Sequence, residues 1–179
     1  MKIFTSLTYI ACCLVLLVST AGCVTRDDEY VEAKLTAVFD VPANLNPIET
    51  HYIIVRDVKA LYTQTLATRG LEQKDIARVL AHRCRMYGRF GGTNLSIFSN
   101  ISIRALSKDG NNRRSEMFYL DEIPFNGRSE LQLLSSISEL KPTMEVETFD
   151  LEIRLQIRGF VPTSIPLQID FSYLAVLNK

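Results

Sequence analysis

The sequence predicts an antiparallel β-sandwich, mainly β and immunoglobulin-like, with one short helix near residues 71–81. Three observations carry this. Beyond residue 30 the dominant spacing of apolar residues is two, the strand period. The alternating runs are separated by Gly-, Pro- and Asn-bearing turns. One stretch alone switches to helical spacing.

The chain starts with a segment that reads as an address. Lys2 is the only charged residue before Arg26, and Leu7 to Val18 is almost wholly apolar. A run of this length fits the core of a secretory signal peptide and is short for a membrane-spanning helix. Ser19, Thr20, Ala21 and Gly22 then lead to Cys23.

Thr20-Ala21-Gly22-Cys23 resembles the lipobox of bacterial lipoproteins. The resemblance implies removal of residues 1–22 as a signal peptide and diacylglyceryl attachment (palmitate-type acyl chains) to the Cys23 thiol. Small neighbours let the peptidase close on the backbone. A cut after Ala21, giving an unlipidated secreted chain, is the competing reading. Each buried methylene contributes about 0.8 kcal/mol, so two or three acyl chains anchor stably. Val24 follows the Cys, where some bacteria use Asp for inner-membrane retention, so the outer membrane is the expected location. Residues 23–30 are polar after Cys23 and short, a tether that keeps the domain near the membrane.

Residues 31–179 form the expected single domain. Val31, Ala33, Leu35, Ala37 and Phe39 alternate with Glu32, Lys34 and Thr36. Tyr52 to Val55 is rich in strand formers. Gly70 to Leu80 reads as a helix, with acidic residues near its start and Ile76, Val79 and Leu80 on one face. It either continues toward Gly88 or ends near Ala81 and passes into a strand with Cys84 and Met86 inward. Leu95 to Leu106 meets the turn cluster Asp109-Gly110-Asn111-Asn112, and Ser115 to Leu120 returns as its partner. Glu130 to Leu134 is a further strand. Leu151, Ile153, Leu155 and Ile157 oppose Glu152, Arg154, Gln156 and Arg158. Leu167, Ile169, Phe171, Tyr173 and Ala175 oppose Gln168, Asp170 and Ser172. These last two strands are expected to form a hairpin across Gly159 to Pro166.

From Ile97 onward the layout resembles small, largely uncharacterised bacterial envelope lipoproteins. Its marks are Ile101-Ser102-Ile103-Arg104, the Leu120 to Pro124 segment Leu-Asp-Glu-Ile-Pro, and the two long C-terminal strands. These are core patterns; they imply a fold and carry no catalytic residue.

Charge excludes some classes. Lys and Arg number 20, Asp and Glu 20. A nucleic-acid binder normally shows a basic excess, so no nucleic-acid partner is expected. The absence of Trp removes a favoured platform for sugars. Cys12 and Cys13 leave with the signal peptide and Cys23 is acylated, so Cys84 stands alone as a buried hydrophobe rather than a reactive thiol.

No cofactor, metal or catalytic residue is expected. His51 with Glu49 makes half of a metal site at most, since zinc takes three or four ligands. His82 and Cys84 share a spacing that could pair imidazole with thiolate, without a third group. Asp121 and Glu122 are adjacent and point apart on a strand, unlike the carboxylates of a glycosidase. Arg78, Arg83, Arg85 and Arg89, with Arg113 and Arg114 elsewhere, could form an anion-binding patch or a solvated, balanced face. The glycosylation patterns at Asn94 and Asn100 are chance matches. The expected function is thus a lipid-anchored, non-enzymatic binding or structural module of the envelope, contacting a protein partner through an edge strand or apolar patch. A lipid or glycan carrier is the alternative, and an envelope hydrolase a third reading.

Overall fold

The computed structural model describes residues 30–110 and 113–178. The expected signal peptide, the expected lipid acceptor Cys23 and all of the expected tether except Tyr30 lie outside the described residues.

Eight strands are described: β1 (Tyr30–Val41), β2 (Thr50–Lys59), β3 (Ile76–Gly88), β4 (Phe98–Leu106), β5 (Arg114–Leu120), β6 (Glu130–Ser135), β7 (Thr148–Ile157) and β8 (Ile165–Leu177). Two short helices, α1 (Tyr62–Ala67) and α2 (Lys141–Met144), sit in the connections. The strand order is β1-β8-β3-β6-β5-β4-β7-β2, with every pairing antiparallel. Between β5 and β6 the ladder is only Phe118↔Ser135 and Tyr119↔Leu134. The sheet therefore folds over itself there, giving a β1-β8-β3-β6 layer against a β2-β7-β4-β5 layer.

The antiparallel β architecture with only short helices is the one the alternation predicts. The strand order is that of a jelly roll, which differs from the ABED/CFG order of an immunoglobulin sandwich. Successive strands mostly cross between layers. β7 and β8 accordingly do not form the expected hairpin: β7 lies between β2 and β4, and β8 between β1 and β3. Alternation reveals which face of a strand is buried, not which neighbour it pairs with. The β4–β5 hairpin is present as expected, with Ile101 opposite Leu120.

The helix expected near residues 71–81 is corrected. Only a 3-10 turn, Gln73–Asp75, forms there, closed by reciprocal bonds between Glu72 and Asp75. Ile76 already belongs to β3. The cause is a pair of register irregularities, at Ile76/Arg78 and Ala81/Arg83. Each adds a residue to one strand. The buried positions become Ile76, Val79, Ala81, Cys84 and Met86, and the three-residue steps imitate helical spacing. The α-helical turn instead lies at Tyr62–Ala67.

The core fills the space between the layers. From β8 come Leu167, Ile169, Phe171, Tyr173 and Ala175; from β7, Leu151, Ile153, Leu155 and Ile157. Phe118 meets Phe171 edge-on, with centroids 6.1 Å apart. Tyr62 and Leu66 of α1 and Met144 of α2 join the same core.

Candidate functional site

The register fixes which loops share an end. Val41 pairs with Ile165, Gly88 with Leu167, Tyr87 with Glu130, and Phe98 with Ile157. Loops 42–49, 89–97, 121–129 and 158–164 therefore gather at one end. Tyr30, opposite Val176, marks the other.

Each of these four loops holds out one large apolar side chain: Ile48 (84% exposed), Phe90 (79%), Phe125 (81%) and Phe160 (66%). At roughly 200 Å² per aromatic side chain, they present together on the order of 500 Å² of apolar surface, shared among four loop tips at one end. Scattered surface hydrophobes need no explanation; one per loop at a single end does.

The loops are braced against one another. Asn44 donates its backbone N–H to Val161 O at 2.8 Å, and Leu95 donates to Arg128 O at 2.7 Å. Gly127 N–H reaches Ser96 Oγ at 2.8 Å. Arg158 ties three segments, because its guanidinium donates to the carbonyls of Ser96, Phe98 and Ile123. A charged donor on backbone carbonyls is a strong tie. The tips thus stand on a platform ordered before anything binds, which lowers the entropic cost of docking. Arg89 lies over the Phe90 ring, 5.6 Å from its centroid.

A second polar cluster lies on the outer face of the β1-β8-β3-β6 layer. Asp170 accepts from Thr36 Oγ1 (2.9 Å), Tyr87 Oη (2.8 Å), Gln168 Nε2 (3.0 Å) and Arg85 Nη2 (3.3 Å). Partial burial alone would raise its carboxyl; the donors from Gln168, Tyr87, Thr36 and Arg85 outweigh this and hold it down at about 2. Arg85 also pairs with Glu130 at 3.7 Å and lies over the Tyr87 ring.

The residues singled out in the sequence are mostly kept apart. His51 Nε2 contacts Asn46 O at 2.7 Å, while Glu49 accepts from Asn46 Nδ2 at 3.1 Å. Both serve loop 42–49. His82 is the extra residue of the Ala81/Arg83 irregularity and borders the outer face, whereas Cys84 points into the core. The shared face expected for this pair is thus lost. Burial, reinforced by nearby Asp170, pushes the Cys84 thiol far above its ordinary range.

Asp121 and Glu122 are exposed in a loop rather than on a strand. Of the arginines, Arg78 pairs with Glu139, Arg85 with Glu130 and Asp170, Arg113 with Asp109 and Arg114 with Glu152. Arg83 has no hydrogen-bond or ion-pair partner among the described residues. Asn94 caps the Leu95–Ile97 turn, and Asn100 bonds Gln156. Among the described residues no three His, Cys, Asp or Glu converge as a metal site.

The loop tips were not singled out in the sequence. Their signal was there: aromatics embedded in turn formers, as in Phe90-Gly91-Gly92, Pro124-Phe125-Asn126-Gly127 and Gly159-Phe160-Val161-Pro162. Periodicity passes over such segments because turns have no face.

No protein-family model matches the chain, and no curated protein matches it in sequence. Three solved structures resemble it at low similarity. The P-domain of Macrobrachium rosenbergii nodavirus is 10% identical, with 83% of this chain and 94% of that one covered and a TM-score of 0.28. Desmodium yellow mottle tymovirus is 10% identical, with 82% and 88% covered and a TM-score of 0.25. The empty head of turnip yellow mosaic virus is 7% identical, with 81% of each chain covered and a TM-score of 0.23.

Proposed function

We propose that the protein is a non-enzymatic binding module of the bacterial envelope, held by lipid on Cys23 and docking a protein partner through its four-loop end. The observation that carries the docking role is the set of exposed tips Ile48, Phe90, Phe125 and Phe160 on mutually bonded loops. Catalysis finds no comparable support, since His82 and Cys84 occupy different environments.

The direction of the domain favours a protein partner over the anchoring bilayer. The tether enters at Tyr30, and β8 (Ile165–Leu177), which runs the length of the domain, spans on the order of 40 Å at strand rise. Residues 24–29 reach about 20 Å when extended. The loop tips then point away from the lipid. Loops 42–49, 89–97, 121–129 and 158–164 also carry both signs, Arg89, Arg128 and Arg158 against Glu49, Asp121 and Glu122. Such a rim suits a protein surface better than anionic headgroups.

Two measurements test the two halves. Intact mass of the membrane-extracted protein is expected to equal residues 23–179 plus acyl groups, and Cys23→Ala should release a soluble protein. A Cys23→Ala chain that stays in the membrane pellet overturns the anchor. For docking, a photo-crosslinking residue at position 125 should trap a discrete protein adduct in cells, lost in F90S/F160S. The same residue at position 64, on α1 at the other end, should trap none. No adduct at 125, or the same adduct at both positions, overturns the loop end as the docking surface.

A further inference from the structure

We infer that the outer face of the β1-β8-β3-β6 layer carries a binding site for a phosphate-type oxyanion, formed by Lys34, Ser172 and Arg83. This inference is independent of how the chain is anchored and of what the loop end docks.

The register places the three residues on one rung. Ser172 on β8 lies directly opposite Lys34 on β1 and Arg83 on β3. Neighbouring strands lie about 4.8 Å apart, so one ammonium and one guanidinium flank a central hydroxyl. Phe171 and Tyr173 are in the core, which puts the Ser172 side chain on the outer face. The three line a groove of about 730 Å³ together with Glu32, Thr36, His82, Arg85, Gln132 and Asp170.

The rung is chemically open while its neighbour is closed. One step along, Thr36, Asp170 and Arg85 satisfy one another. On the Lys34 rung, Ser172 is 4% exposed and its Oγ has no partner. A buried hydroxyl without a partner costs free energy and is uncommon in native proteins. Arg83, directly beside it, has no partner among the described residues. Lys34 makes only a 3.9 Å contact with Glu32, at 80% side-chain exposure. Such an exposed pair at that distance contributes little.

What completes this set must be an acceptor with several oxygens. A tetrahedral oxyanion accepts the Ser172 hydroxyl with one oxygen, the Arg83 fork with one or two, and Lys34 with another. Arg and Lys are the residues that bind such groups. Asp170 does not bar the anion, because its oxygens are occupied by the donors of Thr36, Tyr87, Gln168 and Arg85. A phosphate monoester, whether free or on a lipid headgroup, has this chemistry.

The test is calorimetric titration of the full-length protein, extracted in neutral detergent, with inorganic phosphate and with a soluble short-chain phosphatidic acid. Saturable one-to-one binding is expected, weakened about tenfold in Arg83→Gln, the loss of a charge-assisted bond. Ser172→Ala should weaken it several-fold (roughly threefold to tenfold), with thermal unfolding of the phosphate-free protein at or above the parent's temperature, because an unpartnered buried hydroxyl is removed. Arg69→Gln, in the turn after α1 and outside the groove, should bind as the parent does. Equal affinity for both probes assigns a free phosphate; preference for the lipid assigns a headgroup. No saturation with either probe, or parental affinity in both Arg83→Gln and Ser172→Ala, overturns the site.

Discussion

The phenol of Tyr173 donates a 2.7 Å hydrogen bond to the carbonyl of Ala60, across 113 residues of sequence and inside the core. It pins the end of the β2 segment to the middle of β8, joining the two layers. Burial, with Tyr62 nearby, holds the phenol well above its ordinary range, so it remains a donor. Tyr173→Phe keeps the ring and strands the carbonyl. A loss of about 1–2 kcal/mol is expected, read as a lower urea midpoint with an unchanged slope. A midpoint equal to the parent's would show that the bond contributes nothing net.

Arg158 has a comparable role at the loop end. It follows β7 directly, and three backbone carbonyls from two other segments depend on its guanidinium. Arg158→Met preserves the stem and removes every donor. Global stability should fall by about 2–4 kcal/mol. Amide exchange should rise first in 121–129 and 89–97, because Ile123, Ser96 and Phe98 lose their tie. Exchange rising uniformly along the chain would mean that Arg158 supports the whole fold rather than the platform.

How far the sequence could be read depends on the regularity of each strand. β1 and β8 pair over twelve consecutive positions without a register shift, and their inward residues were legible from alternation. β7 was legible too: even Glu152, buried by its ion pairs with Arg104 and Arg114, lies on the face predicted as polar. β3 was not, because two irregularities move the inward phase. Layer assignment was hidden as well, since nothing local tells β7 that its partner is β2 rather than β8. The anion rung was hidden for the same reason: Lys34, Arg83 and Ser172 are far apart in sequence and meet only through β8.

Cys84 offers a check on the reading of a buried, inert thiol. The side chain lies in the core at 4% exposure and burial raises its pKa, so the thiolate that reacts is scarce while the fold is intact. Peptide-mapped alkylation at pH 8 should leave Cys84 unlabelled in the native protein and label it fully in denaturant. Labelling at Cys84 under native conditions, at the rate of a small free thiol, would show that β3 opens locally.

Asp170 predicts how the protein responds to acid. Its folded carboxyl is held at about 2 against an ordinary 3.8. The folded state therefore binds that proton less readily than the unfolded chain. By linkage, the contribution is fully present above about pH 4 and is lost as pH falls toward 2. The side chain is about a third exposed, so solvent screening limits its size. Removing the charge isolates it: Asp170→Asn should be less stable than the parent at neutral pH, where Arg85 loses one of its two carboxylate partners. The two stability curves should converge as pH falls through the window between 4 and 2. A difference that stays constant down to pH 2 would assign the loss to altered hydrogen bonding, and would mean that the Thr36, Tyr87, Gln168 and Arg85 donors do not act by holding the carboxylate charged.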